Sequence, residues 1–234
     1  MAKYEKKGEL SYTLGTTLTF ELLLRKAEVA KRIYVNPKQK RDETYTKLVH
    51  LAEANHIPVI TNNQKIFSLS EKENTMVIGE FEKFTCKRMP QGNHVVLVHP
   101  SNMGNLGTIF RSCAAFNIDY LAIISPAADC FDPKCVRSSM GAIFSVPFAY
   151  FSSFEEYLAL AGQRHLYPFM LQTENALKSV KKEKPYSLIF GNEATGLDSS
   201  FLNVGTPIKI EQSSKVDSLN LDNAVSIGIY SFLD

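Results

Sequence analysis

"HVVLVHPSNMGNLGTIFR", residues 94–111, decides the fold class. Its first half holds the unbroken apolar run "VVLV" (95–98) rather than the apolar-polar alternation of a strand with one wet face. Such a run is expected where helices cover both faces of a parallel sheet. Its second half turns through asparagine and glycine into a helix over 105–116. Strand, polar turn, helix is the repeating unit of an α/β layer fold. "YLAIIS" (120–125), "HLYPFML" (165–171), "SLIFG" (187–191) and "PIKI" (207–210) read as further strands. A short helix is expected after Pro133, and another over "SSFEEYLALAG" (152–162), opened by the capping box of Ser153 and Glu156 and stopped at Gly162. An apolar helix closes the stretch 216–232.

Upstream, residues 16–80 read as shorter units of the same alternation. A helix carries Leu22, Leu23, Leu24, Ala27 and Ala30; "RIYV" (32–35) is a strand, 42–56 a helix, and "IPVI" (57–60) and "TMVIGE" (75–80) are strands. "FEKFTCKRMPQGNH" (81–94) reads as a linker. The expected organisation is a small α/β domain over 1–88 and a larger parallel-sheet α/β domain over 89–234.

A hydrophobic content of 44% with 21% charged residues supports a real core and excludes a disordered chain. No run approaches the roughly 18 apolar residues of a membrane span, and "MAKYEKKGEL" lacks the apolar core of a signal peptide. A cytoplasmic location is expected. Cys86, Cys113, Cys130 and Cys135 form no C-x-x-C pair and the histidines no H-E-x-x-H, so no metal is expected. The net charge of +2 is unevenly spread. Residues 1–88 hold 16 Lys+Arg against 11 Asp+Glu, and the remainder 10 against 13. A basic front half suits a polyanionic partner.

In parallel α/β sheets, ligands gather at loops leaving the carboxyl ends of strands. Three such loops are rich in Asn, Gly, Ser and acids. In the first, 101–111, Asn102, Gly104 and Gly107 fall near the spacing of a dinucleotide fingerprint, but the next strand ends "IISPAA" without the ribose-binding acid. In the second, "FGNEATGLDSS" (190–200), Gly191 and Gly196 have a phosphate-loop separation, yet Leu197 and Asp198 stand where Lys and Ser/Thr are needed. The third, "VDSLNLDNA" (216–224), crowds five polar residues at a helix mouth. Capping accounts for one of them.

Taken together, "NMGNLGTIFRSCAAF", "LIFGNEATGL" and "IEQSSKVDSLNLDNA" closely resemble the three motifs of the SpoU (TrmH-like) family of S-adenosylmethionine-dependent RNA 2′-O-ribose methyltransferases, within the SPOUT superfamily. "DPKCVRSSMGAIFSVPF" resembles the family's connecting region, and the front domain resembles a small ribosomal-protein-like substrate-binding domain. The resemblance implies a trefoil-knotted methyltransferase domain, a homodimer, S-adenosylmethionine as methyl donor, and ribosomal or transfer RNA as substrate. It places the donor against Leu171, Gly191, Ile210, Ser218 and Leu219, and assigns Arg111 to the catalytic position with Asn105, Glu193 and Asn220 around it. His99 and Asn117 depart from the family's usual acid and glycine. Lys26, Lys31, Arg32, Lys38, Lys40 and Arg41 are candidates for phosphate contact. The alternative reading is an RNA-binding protein of the same fold without transfer; its mark would be loss of the motif Arg, Glu or Asn, and all three are present.

Overall fold

The computed structural model describes residues 4–70, 75–86 and 88–233. Met1, Ala2 and Lys3 of the N-terminal stretch and Lys87 of the expected linker lie outside them. In chain order the elements are β1 (Leu10–Leu14), α1 (Thr16–Lys26), β2 (Ala30–Val35), α2 (Glu43–Ala54), β3 (Val59–Thr61), α3 (Asn63–Leu69), β4 (Val77–Glu82), β5 (His94–Val98), α4 (Met103–Ala115), β6 (Tyr120–Ile124), α5 (Pro133–Ser138), β7 (Phe148–Phe151), α6 (Phe154–Ala161), β8 (His165–Pro168), β9 (Tyr186–Phe190) and α7 (Leu221–Ser231). They form two compact units, 4–84 with 129–145, and 85–128 with 146–233.

The first unit holds a four-stranded sheet in the order β1-β4-β2-β3, antiparallel except for the parallel β2–β3 pair. Successive β2 residues serve opposite faces. Ile33 and Val35 join Leu23, Leu48 and Ala52 from α1 and α2, while Tyr34 joins Tyr12, Ile66 and Ile78 on the side of α3. Each fully buried aliphatic or aromatic side chain contributes about 1.5–3 kcal/mol. The helix expected through Ala30 ends at Lys26, because from Ala30 onward the chain must be extended to pair with β4, Ala30 opposite Phe81. Residues 129–145, which lie in sequence between β6 and β7, pack here. Phe131 and Phe144 meet Phe81 and Phe84 at ring separations of 5.2–6.3 Å.

The second unit is built on a five-stranded, wholly parallel sheet ordered β7-β6-β5-β9-β8. All five residues of β5, β6 and β9 are buried, since α6 with Phe201 covers one face and α4 with α7 the other. This is the reason those strands read as continuous apolar runs. Helix α6 is capped as expected: the Ser153 hydroxyl accepts from Glu156 N, while the Glu156 carboxylate reaches one residue further back, to Ser152 N at 2.6 Å. "PIKI" forms no regular strand. Pro207 has no N–H, and the segment divides its pairing between Phe169 and Ala176, leaving only isolated bridges. Gly228 of α7 lies where an added Cβ would stand 2.8 Å from Phe190 Cζ and 2.9 Å from Phe169 Cζ, so its lack of a side chain lets the helix settle on that stacked ring pair.

At the amino end of this sheet the linker is pinned. His94 is wholly buried between the Tyr157 hydroxyl (2.9 Å) and Pro90 O (3.0 Å). Burial, with Arg164 nearby, lowers its pKa to about 4 and keeps it neutral near pH 7.

Candidate active site

β5 and β9 are adjacent and parallel, Leu97 opposite Phe190, so the loops leaving their carboxyl ends start side by side. One carboxylate ties these loops together. Glu193 Oε2 accepts from Ser101 N (2.9 Å) and Ser101 Oγ (2.8 Å), and Oε1 accepts from Asn102 N (3.0 Å) and Asn105 Nδ2 (3.2 Å). Burial alone would raise the Glu193 pKa, but the Ser101 and Asn102 donors outweigh it and hold the group below the usual carboxylate range. Asn192 adds a second tie: Nδ2 donates to His99 O at 2.7 Å while Oδ1 accepts from Ala194 N at 2.9 Å.

Asn102 caps α4, accepting from Gly104 N and Asn105 N at 2.8 and 3.1 Å, and Gly104 and Gly107 lie inside the helix. The dinucleotide-like spacing therefore forms no glycine loop. His99 contributes its backbone to the site, at a left-handed φ of 57°; Asn117, at φ 51°, occupies a left-handed position of the kind asparagine tolerates and glycine favours.

The third loop completes a cleft of about 340 Å³. All five positions assigned to donor binding, Leu171, Gly191, Ile210, Ser218 and Leu219, line it, with Glu193 at its edge and Phe169 and Phe190 on its apolar side. Gly191 is required by close approach, since a Cβ there would sit 2.1 Å from Gly196 C and 2.3 Å from Leu197 N. Gly191→Ala is expected to cost about 1–3 kcal/mol, read as a lower melting temperature, and to weaken donor binding measured by calorimetry. Among the described residues, no three His, Cys, Asp or Glu side chains gather as a metal ion would need.

Asn105, Arg111 and Asn220 are not among the residues lining the cleft. Asn105 is joined to it through Glu193. Helices α4 and α7 run parallel with a constant offset, because Ser112 Oγ meets Ser226 Oγ at 2.8 Å and the Phe116 and Tyr230 rings lie 5.9 Å apart. Asn220 holds the cap position of α7 yet makes no side-chain cap bond. Capping therefore does not explain its presence. Arg111 follows Asn105 by six residues, about 9 Å along the axis. It is exposed, with no hydrogen bond or ion pair among the described residues, and helical side chains lean toward the N-terminus, here the cleft end. Sequence reasoning missed Ser101 and Asn192 as the partners that fix the loops. The only signal was their position directly beside Asn102 and Glu193.

The fold is thus a parallel α/β layer with a cleft made by three motif loops at one end of the sheet. Residues 92–230 match the SpoU rRNA Methylase family, and the chain belongs to it. It is 30% identical over 144 residues to the 23S rRNA (uridine(2479)-2′-O)-methyltransferase of Streptomyces viridochromogenes, covering 58% of this chain and 50% of that protein. It is 28% identical over 130 residues to the 23S rRNA (guanosine(2553)-2′-O)-methyltransferase RlmP of Bacillus subtilis, covering 54% and 52%. The chain spans about half the length of the curated relatives it matches. The crystal structure of the SpoU methyltransferase AviRb from Streptomyces viridochromogenes, in complex with AdoMet, superposes with a TM-score of 0.82 at 22% identity, over 94% of this chain and 88% of that one. That likeness establishes the fold.

Proposed function

We propose that this protein transfers a methyl group from S-adenosylmethionine to a ribose 2′-hydroxyl of ribosomal or transfer RNA. The observation that carries this reading is the convergence of the five donor positions on one cleft whose edge, Glu193, is bonded to the start of the helix bearing Asn105 and Arg111. The cleft suits the donor: its volume is within the range of small-molecule sites, and it combines an apolar ring pair with exposed loop backbone. The donor, when bound, supplies an electrophilic methyl on a sulfonium.

The chain's own residues position the nucleophile. Leu171, Gly191, Ile210, Ser218 and Leu219 hold the donor. Arg111 grips the phosphate beside the target sugar in a two-pronged hold and aligns the hydroxyl, whose proton leaves to that phosphate or to solvent. Glu193 is a positioning residue that fixes the motif loops, and Asn105 and Asn220 orient the groups around Arg111.

The larger assembly follows from the same reading. Residues 1–88 form the RNA substrate-binding domain and 89–234 the methyltransferase domain. The path after β9, which runs out alongside residues 168–176 and returns to α7 against α4, supports a trefoil knot. Ile227 and Tyr230, 39% and 68% exposed on α7, support a homodimer through this domain. No helix among the described residues is long and apolar enough to cross a membrane, and the four cysteines are free, which supports a cytoplasmic location.

The test is incubation of the protein with methyl-labelled donor and bulk cellular RNA. Label in the RNA is the expected result. RNA binding without label would select the non-catalytic alternative.

A further inference from the structure

The six basic residues singled out for phosphate contact divide into two groups. Lys26 pairs with Glu28 at 3.2 Å, Lys31 with Glu82 at 2.6 Å and Arg32 with Glu80 at 2.8 Å. An adjacent carboxylate cancels most of a cation's outward field. Lys38, Lys40 and Arg41 are exposed, and their side chains make no ion pair or hydrogen bond among the described residues. Three uncompensated cations therefore stand within four residues, on the loop that leaves the carboxyl end of β2.

This loop is built rather than loose. Asn36, only 4% exposed, anchors its base. The Asn36 amide oxygen accepts from Lys38 N at 2.9 Å, its amide nitrogen donates to Asn63 Oδ1 at 3.0 Å, and its backbone accepts from Gln39 N and donates to Met76 O at 2.9 and 2.8 Å. Pro37 fixes one backbone angle more. Cations held on an ordered turn lose less freedom on binding than cations on a mobile one.

We propose that the loop 36–41 docks a phosphodiester strand of the RNA substrate, with Lys38, Lys40 and Arg41 each meeting a phosphate. The proposal rests on the methyltransferase reading and says which surface of the first unit receives the RNA. The ion-paired Lys26, Lys31 and Arg32 take no part.

Phosphate contacts release counterions, so each contributes about 0.7–0.9 to the slope of log affinity against log salt concentration. The test titrates the whole protein into protein-free total ribosomal RNA at several salt concentrations. In Lys38→Ala/Lys40→Ala/Arg41→Ala the slope is expected to shrink by about 2 to 3. Arg25→Ala/Lys31→Ala/Lys47→Ala removes the same formal charge from ion-paired positions and is expected to keep the wild-type slope. The glutamine triple Lys38→Gln/Lys40→Gln/Arg41→Gln replaces the alanine triple if the latter melts early. A loop variant with the wild-type slope, or a control that loses as much, overturns the docking surface while methylation of RNA by the same variants leaves the enzyme reading intact. A wild-type protein with no salt-dependent affinity for the RNA overturns both.

Discussion

Arg111→Ala is expected to lower methyl transfer by about 10²–10³-fold, the usual cost of removing one preorganised charged donor, with donor affinity by calorimetry unchanged. The division follows from geometry. Arg111 lies on α4 but not in the cleft wall, so its removal leaves the donor's contacts whole. It is also free of internal partners among the described residues, so no buried group is orphaned and the melting temperature should stay near that of the wild type. Arg111→Lys keeps the charge and loses the two-pronged hold. It should show partial activity with an unshifted pH-rate profile. A lysine variant with full activity and a lower apparent pKa would mean that residue 111 takes the proton itself, contrary to the clamp described above. Equal loss of donor binding in the alanine variant would contradict the separation of roles.

The second large effect is expected at Glu193. Glutamine retains one acceptor oxygen but presents an NH₂ group where Ser101 N and Ser101 Oγ both donate. Bonds to a charged acceptor contribute about 1.5–3 kcal/mol each, so the loops should loosen and α4 shift at its start. A displacement of about 1 Å costs on the order of 10²-fold in rate. Because Glu193 also borders the cleft, Glu193→Gln should weaken donor binding as well as transfer, which separates it from Arg111→Ala. The effect depends on pH with a definite sign. The folded pKa of Glu193 is lowered, so its contribution to stability is complete above the ordinary carboxylate value of about 4.3 and is lost as pH falls through the folded value. Melting curves of wild type and Glu193→Gln should be well separated near pH 7 and draw together in acid. A gap that persists below the folded pKa would mean that the carboxylate's charge is not what holds the loops.

The parallel sheet was legible in its three central strands, whose segments "VVLV", "LAII" and "LIF" carry no polar residue and leave no wet face, and the structure covers both faces of each. The cap of α6 was legible from its local pattern, Ser153 with Glu156 three residues on. The elements that were missed break the apolar pattern. In β1 the inward residues include Ser11 and Thr13, both wholly buried and satisfied by hydrogen bonds, so "LSYTL" does not look like an edge of a core. The short α3 and β7 offer too few residues for a period to emerge. Residues 129–145 carry nothing in their own sequence that assigns them to the first unit, because the aromatic partners Phe81 and Phe84 lie some fifty residues upstream. At the site, the donor positions and Glu193 came from motif resemblance, and the structure adds the reason for the acid: a carboxylate suits a point where four donors converge. Ser101 and Asn192 act through hydrogen bonds between loops that only the folded chain brings together.

RNA labelled by the protein from methyl-labelled S-adenosylmethionine should be digested to completion with alkali, which cleaves only beside a free 2′-hydroxyl. Label is expected in alkali-resistant dinucleotides, and lowered there about 10²–10³-fold with Arg111→Ala. Label released in mononucleotides would place the methyl on a base and contradict transfer to the 2′-hydroxyl.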